Sequence, residues 1–162
     1  MNTMASRTEV TTDQDAIVSK IAIHAPPERV FKALTDAGEL ARWFGSPECP
    51  VKSWEMDARA GGRYRYETQP GSVVVNGVNV FKCHGEILHF DPPRLLVYTW
   101  VANWHDAEGS STVVRWELAP SNGGTELTVT HNGLANLPVA RKDYSGGWPE
   151  VVEMLKKFVE QA

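Results

Sequence analysis

His131 is the residue best placed for chemistry. In the run GTELTVTHNG, strict alternation puts it on one side with Leu127 and Val129, facing an apolar interior. An imidazole there could pass a proton near neutral pH. The same position suits a histidine that only completes a core hydrogen-bond network, and that reading is adopted because no catalytic partners stand with it. No Ser-His-acid set occupies a frame such as G-x-S-x-G, and phosphate loops and dinucleotide fingerprints are absent. His84, His89 and His105 are isolated, and Cys49 and Cys83 lack the paired spacing of a zinc site. No catalytic residue, metal or cofactor is therefore expected.

The aromatic residues say more. Of the six tryptophans, Trp100 and Trp116 fall on runs expected to be neighbouring strands. Trp116 alternates with Val114 and Leu118, and Trp100 with Leu96 and Tyr98. Facing inward, such rings form flat walls with N–H and O–H handles suited to a planar guest. The alternative is that they fill a core and close it. Candidate cavity residues are Tyr66, Tyr98, Trp100, Trp116, His131, Trp148, Met154 and Leu155. Among the charged residues, Arg115 and Glu117 read as a solvated pair, and Asp57 and Arg59 as anchors of a turn.

These residues need elements to position them. Residues 1–14 are polar and read as a frayed tail. AIVSKIAIHA alternates as a strand, with Ile17, Ser19, Ile21 and Ile23 on one side. Pro26-Pro27 then opens a short helix bearing Val30, Phe31 and Leu34, and Asp36-Ala37-Gly38 breaks it before a second, GELARWF. Six strands follow: VKSWEMDA, GRYRYET, NVFKCHGEILHF, RLLVYTWV, STVVRWELA and GTELTVTHNG. Turn signals at Pro70-Gly71 and Asn76-Gly77 leave the tip of the second hairpin open within residues 69–77. NLPVARKDYSGG reads as a loop, and WPEVVEMLKKFVEQA as a helix with Pro149 in its first turn. Its apolar arc is wide enough to be gripped by a curved sheet.

The 162 residues suit one domain, here 15–162, of the α+β class with an antiparallel sheet and helices on one face. A net charge of -4 without a dense basic face excludes a nucleic-acid binder. Two cysteines give no disulfide framework, and neither a secretory leader nor a membrane-spanning run is read, so a cytoplasmic, membrane-free protein is expected.

In order along the chain, APPERVFKALTDAGELARWF, DARAGGRYR, HGEILHFDPPRLLVYTW, STVVRWEL, GGTELTVTHNG and GWPEVVEMLKKF resemble the helix-grip, or START-like (SRPBCC, Bet v-like), superfamily. Within it, the chain is most similar to the family named for the C-terminal domain of the activator of the heat-shock-protein-ninety ATPase. The resemblance covers about residues 16–161 and implies a curved sheet around a C-terminal helix with a cavity between them. It also implies small-molecule binding, homodimers and, in the activator itself, a chaperone partner. No counterpart of the activator's N-terminal half is read here. Asn103-Trp104-His105 resembles a short motif of that half, but its flanks do not match and it is taken as coincidence.

The leading expectation is a non-catalytic binder of a small apolar or aromatic molecule. A chaperone-associated protein is one alternative. The other is a polyketide cyclase or hydrolase in which His131, Tyr98 or Tyr66 converge on the cavity.

Overall fold

The computed structural model describes residues 6–161. Nine strands form one sheet: β1 (Arg7–Val10), β2 (Ile17–Ile23), β3 (Gly45–Ser46), β4 (Cys49–Met56), β5 (Arg63–Thr68), β6 (Lys82–Asp91), β7 (Leu95–Ala102), β8 (Ser111–Ser121) and β9 (Gly124–Asn132). Their spatial order is β1-β2-β9-β8-β7-β6-β5-β4-β3, and every neighbouring pair is antiparallel. Register shifts at Val51/Ser53 and Ile87/His89 mark bulges that bend the sheet. Three helices complete the fold: α1 (Pro27–Thr35), α2 (Ala37–Trp43) and α3 (Pro138–Glu160). This is the helix-grip architecture that the order of motifs implied.

Local chemistry explains most boundaries. Asp36 ends α1 and caps α2, its carboxylate accepting from the Glu39 N–H at 3.0 Å. In the long β5–β6 connection, Val75 and Val78 bridge across Asn76 and Gly77, whose φ angles of 50° and 77° make the turn. That settles the tip left open between residues 69 and 77. Asn76 Nδ2 also donates to the Trp104 carbonyl at 2.8 Å, leaning this connection on the one between β7 and β8.

Two sequence readings are corrected. The tail expected over residues 1–14 contains strand β1, which pairs with β2 from Arg7↔Lys20 to Val10↔Ile17; its first five residues lie outside the described ones. The loop expected before Trp148 is helical. α3 starts at Pro138 and runs for 23 residues, about 34 Å, with Pro149 in its interior. Gly146, Gly147 and Pro149 are poor helix formers, Pro149 costing about 3 kcal/mol at an interior site. Tertiary burial overrides them, because Ala140, Tyr144, Trp148, Val152, Leu155 and Val159 all face the core.

Both ends of α3 are tied down. At its start, Asp106 accepts from the N–H groups of Val139 and Ala140, each at 2.9 Å. Near its end, Lys156 Nζ donates to the Ala22 carbonyl of β2 at 2.9 Å and pairs with Glu160, whose carboxylate also accepts from the His24 N–H at 2.7 Å. Among the described residues no helix is long and apolar enough to cross a membrane.

Candidate ligand cleft

Between sheet and helix, the centre of the molecule is solid and its polar groups satisfy one another. His131 on β9 is fully buried. Thr112 Oγ1 donates to the Trp100 carbonyl at 2.8 Å, so its oxygen receives the Nε2–H of His131 at 2.7 Å. The Trp148 indole N–H occupies His131 Nδ1 at 3.1 Å. These partners fix the neutral Nε2–H tautomer and leave neither ring nitrogen free. Burial, followed by the proximity of His105, drives the basicity of His131 far below the ordinary value.

A second chain lies beside the first. Trp100 Nε1 donates to the Tyr144 hydroxyl at 2.9 Å, Tyr144 passes its hydrogen to His105 Nε2 at 2.8 Å, and His105 Nδ1 donates to the Ser110 carbonyl at 3.1 Å. Burial lowers the pKa of His105, although the Ser110 carbonyl and Asp106 act in the opposite sense. Trp116 Nε1 finds the Tyr98 hydroxyl at 2.8 Å. Ring contacts such as Trp100–Trp148 and Trp116–Trp148, with centroids 5.7 and 5.6 Å apart, fill the remaining space.

Space opens at one flank, where β3, β4 and β5 approach α3 in a cleft of about 200 Å³. Tyr66 and Thr68 of β5 form one wall, and Gly147, Val151 and Met154 of α3 the other. Phe81 and Trp104, their rings edge to face with centroids 5.1 Å apart, supply aromatic surface from the connections. Tyr66 is held flat against Trp54, 4.4 Å between centroids and 6° between planes. Cys49 lies at the rim, its thiol pushed up by burial and then by Glu48, so it stays protonated and acts as an apolar wall.

Besides Ser46, Thr68 and Glu150, two further residues bring polar groups to the lining. Trp104 is only 4% exposed, and its Nε1–H lies beside the Tyr144 hydroxyl without a well-formed hydrogen bond to it. Asp143, half-buried on α3, also faces the cleft, and its carboxyl is raised by burial and then by Glu150.

Of the eight candidate cavity residues, Tyr66 and Met154 line this cleft. Tyr98, Trp100, Trp116, His131, Trp148 and Leu155 are buried in the packed centre. Trp104, Asp143 and Gly147 are lining residues that were assigned to connections. A signal for the last two was present, because positions 140, 144, 148 and 152 carry Ala, Tyr, Trp and Val at helical spacing across the supposed loop. No group of three His, Cys, Asp or Glu able to hold a metal occurs among the described residues.

The sequence model described as Activator of Hsp90 ATPase homolog 1-like protein matches residues 24–160. The chain belongs to this family. No curated protein matches the sequence. Solved structures share the fold of this chain. A Rhodobacter sphaeroides protein superposes with a TM-score of 0.78 at 20% identity, over 97% of this chain and 99% of that one. Protein CV1439 from Chromobacterium violaceum gives 0.72 at 26% identity, over 90% and 98%. CalU16 from Micromonospora echinospora gives 0.64 at 22% identity, over 96% and 83%.

Proposed function

We propose that the protein is a non-catalytic binder of a small hydrophobic or aromatic molecule, held in the cleft between the sheet and α3. The observation that carries this reading is an opening of about 200 Å³ walled by Tyr66, Phe81, Trp104 and Met154, beside a centre that is otherwise packed. An apolar cavity of about 150 Å³ accommodates benzene, so one or two fused rings suit this space. A cytoplasmic setting, expected from the two free thiols, goes with it.

The cyclase or hydrolase reading has less support. His131 and His105 have both ring nitrogens engaged, and burial favours their neutral forms. Contact with a chaperone is a second reading, favoured by the family match over residues 24–160. Adding the protein to a chaperone ATPase assay tests it, and an unchanged rate counts against it.

The ligand reading is tested by tryptophan fluorescence titration with naphthalen-2-ylmethanol, a neutral two-ring probe. Saturable quenching is expected in the native chain and its loss in Gly147→Leu, whose side chain would project into the cleft from a Cβ site with nothing within 4 Å. Binding that survives in Gly147→Leu would place the probe elsewhere and sink the proposal.

A further inference from the structure

We propose that the free edge of β1 is a self-association surface, where a second copy of this chain adds its own β1 antiparallel and continues the sheet across a two-fold axis at Thr8.

β1 is an end strand in the spatial order, and the cleft lies toward the opposite end, beside β3, β4 and β5. The orientation of the β1 backbone follows from the turn into β2. Pairing runs from Arg7↔Lys20 to Val10↔Ile17, and one step further Thr11 donates its N–H to the Ala16 carbonyl at 2.9 Å. Backbone groups alternate in direction along an antiparallel strand, so Arg7 and Glu9 turn theirs to β2, as Thr11 does. Thr8 and Val10 turn theirs outward, and no strand among the described residues receives them. Side chains alternate as well. Thr8 shares a 2.8 Å hydrogen bond with the buried Ser19 on the core face, which puts Arg7 and Glu9 on the outer face, both exposed.

This alternation restricts how two copies can pair. Outward-turned residues must stand opposite each other, which leaves registers centred on Arg7, Thr8 or Glu9. Centring on Arg7 opposes two guanidinium groups, and centring on Glu9 opposes two carboxylates; both are unfavourable like-charge pairs. Centring on Thr8 joins the two Thr8 residues by reciprocal N–H···O=C bonds. It also sets each Arg7 against Glu9 of the second copy, in the non-hydrogen-bonded pairs where Cα atoms stand about 4.5 Å apart. Neither residue is in an ion pair among the described residues, and the β2 residue facing Arg7 is a second cation, Lys20. Val10, 41% exposed, would lie opposite Ser6 of the second copy and gain cover. A single charge blocks an open edge, whereas opposite charges two residues apart admit one register and oppose its neighbours. A contact of about five residues per strand buries far less than the roughly 1,600 Å² of a standard interface, so the association is weak.

Sedimentation of the native chain from about 5 to 500 μM should show a monomer–dimer equilibrium with Kd of roughly tens to hundreds of micromolar. Arg7→Glu and Glu9→Arg should each weaken it about tenfold or more, since every cross pair becomes a like-charge pair. Mixing these two variants places two acids against two bases, and a heterodimer at least as tight as the native dimer is expected. The double variant, which exchanges the two charges within one chain, should dimerise like the native chain. A native chain still monomeric at about 500 μM overturns the proposal, as does a dimer indifferent to both reversals. Variants that fail to associate when mixed, together with a double variant that stays monomeric, overturn it as well.

Discussion

Trp148 on α3 aims its indole N–H at Nδ1 of His131 on β9 from 3.1 Å, joining helix and sheet through a ring that is fully buried. A histidine held neutral in this way makes stability depend on pH. Its folded pKa lies below the unfolded value of about 6.5, so below that pH the unfolded chain binds more protons. Its contribution is complete above about pH 6.5 and is lost as pH falls further. His105, shifted in the same direction, adds to the slope. Urea unfolding between pH 7.5 and 5.5 should show a loss approaching about 1.4 kcal/mol per unit below pH 6.5 for each histidine that stays neutral. A flat profile would contradict the geometry of His131.

Gly146 and Gly147 form a matched pair for separating stability from binding. A Cβ at either meets nothing within 4 Å, and neither has a positive φ. Either change to Ala should stabilise α3 by about 0.5–1 kcal/mol, measured by denaturant midpoint. Only Gly147 lines the cleft. Gly146→Leu should therefore keep probe binding where Gly147→Leu loses it.

Asp106 caps α3 from another part of the chain. Burial raises its carboxyl, but the hydrogen bonds it accepts, led by the N–H groups of Ala140 and Val139 and joined by its own N–H and the Asn76 side chain, outweigh this and leave it below the usual range. Asp106→Ala should cost about 1 kcal/mol at pH 7. A depressed acid stabilises fully above its unfolded pKa of about 3.9, so the difference between native and variant should start to shrink below about pH 4 and go on shrinking as pH falls through the lower folded pKa. Paired melts at pH 7 and pH 3 would read both effects.

Trp104→Phe removes the unpartnered indole N–H and keeps an aromatic ring against Phe81. Stability should be unchanged or higher by about 1 kcal/mol, because a buried donor without an acceptor is lost. A drop of similar size would mean that the N–H is satisfied in solution.

The strands were legible because alternation survives wherever one face is buried. Ile17, Ser19, Ile21 and Ile23 read inward from β2 and are buried there, as are Leu127, Val129 and His131 on β9. The start of α3 was not legible, since Gly146, Gly147 and Pro149 resemble a turn locally and their helical state depends on the packing of Tyr144 and Trp148. The cleft was legible only in Tyr66 and Met154, which lie on elements with a readable period. Trp104 reaches it from a connection, where periodicity carries no information about direction.

The fastenings of α3 have a mechanical consequence. Asp106 anchors one end and the Ala22 carbonyl with Lys156 and Glu160 anchors the other, while the stretch beside the cleft contains two residues without side chains and a proline that cannot bond back along the helix. A rod clamped at both tips yields at mid-span. Bowing there would widen the aperture without loosening either clamp, so amide exchange should be fastest around Gly146–Gly147 and slower toward both tips.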